Sequence, residues 1–150
     1  MNEEKVLEVL AQIQRSERGG QDGGVKHYQG DWVQVTECGT TACMAGWTTL
    51  LDGWVPELYR AGEHGDIGSG GWTADDCTKG KEKRDIDMLA RELLGLTGAE
   101  ASRLFYCSDD LSELYEHVAQ IMGIDVGVLE DKVTAMADDL GPFMLKVPAP

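Results

Sequence analysis

Cys38-Gly39-Thr40-Thr41-Ala42-Cys43-Met44-Ala45-Gly46-Trp47 is the densest signal in the chain. Read as a helix start, Thr40 or Thr41 supplies the N-cap and the helix runs to about Asp52. Cys43, Trp47, Leu50 and Trp54 then share one face. Ala42, Ala45, Gly46 and Thr49 make an adjacent stripe of small residues, against which another backbone can pack closely. The helix is therefore expected at the centre of the molecule. Gly53 and Pro56 mark its end.

Working outward, helical spacing dominates. Val6, Leu10 and Ile13 recur at i, i+4 and i+7 within residues 3–17, and Gly19-Gly20 stops that helix. A Gly-rich loop over 19–30 follows, then a short β-prone run over 31–36. Residues 60–84 read as a second, longer Gly-rich loop, with at most a short strand around Gly71-Trp72-Thr73. Helical order returns at Asp85, with Ile86, Leu89, Ala90, Leu93 and Leu94 on one face and Gly95 as the stop. Thr97-Gly98-Ala99-Glu100 is a capping box that opens a helix carrying Ala101, Leu104 and Phe105. Ser108-Asp109-Asp110 caps the next helix, which Gly123 closes, and Asp125 caps the last, which Gly141-Pro142 ends. Residues 142–150 read as an extended tail. The expected fold is mainly α: about six helices and a small two-stranded element in a single compact domain over 1–150.

The composition narrows the classes of function. At 150 residues the chain is long enough for one domain with a real core. Thirteen Lys+Arg against 27 Asp+Glu give a net charge of −14, which argues against non-specific binding to nucleic acid or to an anionic membrane. The start, Met1-Asn2-Glu3-Glu4-Lys5, lacks the basic and apolar regions of a secretory signal, and no apolar run approaches the roughly 20 residues that span a bilayer. A cytoplasmic protein with reduced cysteines is the expectation. There is no P-loop, His-Glu-x-x-His or Cys-x-x-Cys motif.

The motif at 38–47 carries two chemical readings. A cysteine in the first turn of a helix feels the positive end of the dipole, which favours a reactive thiolate. Cys43 or Cys38 would then be the nucleophile of a hydrolase, with His27 or His64 as base and Asp31 or Asp66 orienting the ring. Zinc would need four ligands, which Cys38, Cys43, Cys77 and His64 can supply, although their spacing matches no standard ribbon or finger. Against both stands a simple packing role, because Cys43 shares a face with Trp47 and Leu50. No cofactor is favoured.

Trp32, the 38–47 motif, and later Leu94-Gly95-Leu96-Thr97 with Ala101 and Leu104-Phe105 resemble a group of small proteins. These are uncharacterised actinobacterial and actinobacteriophage proteins carrying a C-G-T-x-x-C-x-A-G-W/H motif. The resemblance covers roughly residues 28–117, without the Gly-rich insert. It implies a phage or mobile-element origin and a bacterial host cytosol, and it implies no activity.

Weaker signals complete the list of candidates. Lys79, Lys81, Lys83 and Arg84 form a basic island that could meet a phosphate, although Glu82 and Asp85 dilute it. Asp109, Asp110, Glu113 and Glu116 crowd one helix start and could face a basic partner. Trp72, placed in a loop, could stack on a ligand. The leading expectation is a non-enzymatic phage-type accessory protein, acting in host takeover or counter-defence. It would bind a host protein or a small ligand through the acidic face or the 60–84 segment. The cysteine hydrolase and a zinc-stabilised module are the alternatives.

Overall fold

Helix α1 (Glu3–Arg18) forms because its apolar residues repeat at helical spacing, and it buries Val6, Val9, Leu10 and Ile13. Glu3 and Glu4 in its first turn and Arg15 and Arg18 in its last complement the helix dipole. The computed structural model describes residues 1–18, 24–36, 39–60, 71–106, 108, 110–140 and 147–148. Among these lie six helices and eight strands.

The strands correct the expected mainly-α fold: this is a mixed α/β architecture with two sheets. Strands β1 (Lys26–His27), β2 (Val33–Thr36), β3 (Gly39–Ala42), β5 (Tyr59–Arg60) and β6 (Trp72–Thr73) form a five-stranded sheet in the order β1-β3-β2-β6-β5. Only the β1–β3 pair is parallel. Strands β4 (Val55–Pro56), β7 (Asp76–Lys79) and β8 (Glu82–Asp85) form an antiparallel sheet in the order β4-β7-β8. The proline sits on an edge strand, where its missing N–H costs no ladder bond.

Two particular errors account for the correction. Thr40 and Thr41 are not helix caps. They are β-branched residues in β3, paired with Val35 and Gln34 of β2. The helix itself, α2 (Met44–Leu51), begins later, with Cys43 as its N-cap. The second error concerns the 60–84 segment. Residues 61–70 lie outside those described, but β6, β7 and β8 occupy most of the remainder. The β7–β8 hairpin turns at Gly80-Lys81, with Gly80 at φ +63°, the left-handed geometry that glycine accepts without strain.

The remaining helices follow their caps. Helix α3 (Ile86–Leu94) starts where the Asp85 carboxylate accepts the Met88 N–H at 3.1 Å and ends at Gly95, φ +62°. Helix α4 (Gly98–Phe105) opens with the reciprocal box: Glu100 N–H to Thr97 Oγ1 at 3.2 Å, and Thr97 N–H to Glu100 Oε1 at 2.9 Å. Asp110 caps α5 (Leu111–Met122) and Asp125 caps α6 (Val126–Asp139). The core places α1 against α6 and α2 against α3, with α5 joining α6. Residues Met44–Leu50 are all buried, so α2 is central. Its hydroxyls are satisfied within the helix, Thr48 donating to the Met44 carbonyl and Thr49 to that of Gly46. No described helix is long and apolar enough to cross a membrane.

Candidate functional site: an aromatic cleft beside the cysteine motif

The start of α2 is closed by the turn at 28–32. The Cys43 N–H donates to the carbonyls of Asp31 (3.1 Å) and Trp32 (3.3 Å). The next N–H, that of Met44, donates to the buried Gln29 side-chain oxygen at 3.0 Å. The Gln29 amide nitrogen in turn donates to the Leu104 carbonyl near the end of α4 (2.9 Å). One side chain therefore ties the 28–32 turn to two helices. The N–H groups of Ala45 and Gly46 at the helix start still pull the Cys43 thiol pKa down, but burial outweighs them.

Cys43 is fully buried, and burial pushes its thiol up to about 12. A group so placed is a packing residue, the opposite of the activated thiolate that the dipole argument anticipates. Cys77 is also free and buried, with its thiol raised to about 11, mainly by desolvation. Both should resist iodoacetamide in the folded chain and label on unfolding. Peptide mapping of the modified protein checks this, and labelling of Cys43 at the rate of a free thiol would contradict it.

His27 lies half-buried in β1. Its Nε2 is 2.9 Å from Gln29 Oε1, and because it faces an oxygen that nitrogen must carry the proton. Burial lowers the His27 pKa, opposed by the Gln29 bond and by Glu17 and Asp110. The His27 ring thus bonds Gln29. Cys38, His64 and Asp109 lie outside the described residues. No group of three or more His, Cys, Asp or Glu among the described residues is arranged to hold a metal ion.

The basic island is on the β7–β8 hairpin, and most of it is paired. Lys79 donates to the Asp52 carbonyl at 2.7 Å, with its ammonium 6.0 Å from the Trp54 ring centre. Lys83 pairs with Glu57 (2.7 Å) and Asp76 (3.6 Å), and Arg84 with Glu92 (2.7 Å). Lys81 is exposed at the turn. Trp72 sits half-buried in β6 with the Arg60 guanidinium 6.0 Å from its ring centre, so a cation of the chain itself lies over it. Asp110 is used as a cap, accepting the Glu113 N–H at 2.9 Å, and Glu116 is exposed on the same helix. The structure does not bring the hairpin cations and these acids into one site.

What it does assemble is a cleft of about 530 Å³ between the 28–32 turn, the sheet edge at Tyr59 and Thr73–Asp75, and the end of α4. Tyr28, Trp32, Tyr59, Phe105 and Tyr106 line it, with Asp31, Asp75, Gln29 and Ser108. Trp32 stands nearly perpendicular to both Tyr106 (82°, 5.3 Å between centroids) and Phe105 (84°, 6.2 Å), the edge-to-face geometry that aromatic quadrupoles favour. Tyr59 Oη donates to Asp75 at 2.8 Å, and Tyr106 Oη to Asp87 at 2.5 Å. Desolvation and then the Asp87 bond raise the Tyr106 phenol to about 12, so it stays protonated and donating. Tyr28 folds back over Gly30: a Cβ there would lie 2.7 Å from the phenol oxygen. Tyr28 and Tyr106 are each more than half exposed.

No family model, curated protein or solved structure matches the chain.

Of the cleft residues, the sequence singled out Asp31 as a partner to a histidine, and Trp32 and Phe105 as residues that carry the resemblance. Tyr28, Gln29, Tyr59, Asp75 and Tyr106 were missed. One signal could have found the tyrosines: all three fall at the ends of elements, outside every apolar stripe. A shallower groove of about 550 Å³ runs between α1, α5 and α6, lined by Gln14, Arg18, Leu111, Tyr115 and Glu130 among others.

Proposed function

We propose that this chain is a non-enzymatic binding protein of phage type, acting in a bacterial host cytosol, whose binding site is the aromatic cleft. It takes up a small ligand, or a side chain presented by a host protein. The observation that carries this reading is the Gln29 link, which fixes the 28–32 turn to α2 and α4 before any ligand arrives. A site already held by such hydrogen bonds loses little conformational entropy on binding. The concave shape, the aromatic lining and a few convergent polar groups are the usual anatomy of a ligand pocket. Against the hydrolase reading, both free cysteines among the described residues are buried.

The test is a fragment titration of isotopically labelled full-length protein, followed through its backbone amide shifts. Shifts gathered at Tyr28–Trp32, Thr73–Asp75 and Phe105–Tyr106 are expected. Saturable shifts confined to the groove between α1, α5 and α6, or none at the cleft for any fragment, would overturn the assignment.

A further inference from the structure

Resting on the reading of the cleft as the binding site, we infer that its ligand is an organic cation of the alkylammonium or guanidinium type. Among the described residues, five aromatics and two aspartates line the cleft, and no Lys, Arg or His does. Aromatic faces attract a cation through the ring quadrupole, most strongly where water is excluded. The Trp32–Tyr106 pair, at 82°, makes a corner of two rings that a compact cation can enter. Asp75, held by Tyr59 Oη, supplies a formal countercharge at the rim, and Asp87 lies one hydrogen bond beyond Tyr106.

Other ligand classes fit less well. An anion would meet the carboxylates of Asp31 and Asp75, and the described lining residues offer it no Lys, Arg or His. A neutral apolar ligand would cover two carboxylates and bring no charge to offset their desolvation. A hard metal ion wants six or more oxygens, whereas the lining supplies two carboxylates among rings. The net charge of −14 also draws cations toward the protein.

The experiment titrates the full chain with tetramethylammonium and methylguanidinium, each against its neutral isostere, tert-butyl alcohol and methylurea, and reads the amide shifts of residues 28–32 and 105–106. Cations should bind saturably and at least tenfold more tightly than their isosteres. Tyr28→Leu and Tyr106→Leu, both at exposed positions where folding is spared, should each weaken cation binding by about fivefold. Asp75→Asn should weaken it and flatten its dependence on salt. Capped Arg and Lys derivatives run beside free methylguanidinium and methylammonium separate the two sources. Tighter binding of the capped residues assigns a protein side chain, and tighter binding of the free ions assigns a small molecule. Equal or better binding of the neutral isosteres overturns the cationic class while leaving the cleft as a binding site. No binding at the cleft by any probe overturns both.

Discussion

Gly46→Ala should be the most damaging single-methyl change in this protein. A Cβ at position 46 would lie 2.9 Å from the Trp32 carbonyl carbon and closer still to its oxygen. Both are main-chain atoms, so relief requires α2 and the 28–32 turn to separate. That separation strains the bonds from the Cys43 N–H to the Asp31 and Trp32 carbonyls and from Met44 to Gln29. Overpacking of this kind costs about 3 kcal/mol, which for a domain of this size lowers Tm by roughly 10 °C. Gly98→Ala is the control. Its added methyl would meet only the Arg91 guanidinium at 3.6 Å, so stability should change little. Thermal unfolding of the two variants beside the parent chain decides the matter, and equal melting temperatures for Gly46→Ala and the parent would contradict the packing argument.

Gln29→Ala should have the second largest effect, through hydrogen bonding instead of volume. The side chain is 8 % exposed and serves two main-chain groups, the Met44 N–H and the Leu104 carbonyl. Its removal leaves both without their partner in the interior, a loss of about 2–4 kcal/mol. The damage should spread from the turn to both helices, because α2 and α4 are joined there by one amide. Amide exchange reads this directly: the Met44 N–H and the end of α4 should lose protection, while α6, on the far side of α1, keeps its own. Uniform loss across all helices would instead mean that Gln29 acts on global stability and is not a local tie.

Much of the helical part was legible from local chemistry. Thr97, Asp110 and Asp125 cap the helices they were expected to cap, Asp85 caps the helix expected to begin there, and Gly95 and Gly123 end theirs in left-handed geometry. Such signals lie within three or four residues of one another and need no tertiary contact. The strands failed for the converse reason. Thr40 and Thr41 are good caps and good strand residues alike, and the choice is made by β2, which pairs with them. In β7 and β8 only Cys77 is buried, so the period-two apolar pattern that marks a strand is missing. The site was less legible still. Gln29 reads as one more polar residue in a Gly-rich stretch, and its partners lie 15 and 75 positions away. The cysteine motif drew attention as chemistry because its local pattern suits a nucleophile. Its role in the fold is to seat the turn that builds the cleft next door.

Binding should belong to the aromatic cleft, with the cysteine motif supporting it from behind. A methylguanidinium titration, read by amide shifts on Cys43→Ala and on a combined Tyr28→Leu/Tyr106→Leu variant, tests it most directly. Cys43→Ala should bind as the parent does, while the tyrosine variant, still folded, should lose at least tenfold in affinity. Binding abolished by Cys43→Ala in a folded protein, with the tyrosine variant unaffected, would contradict it.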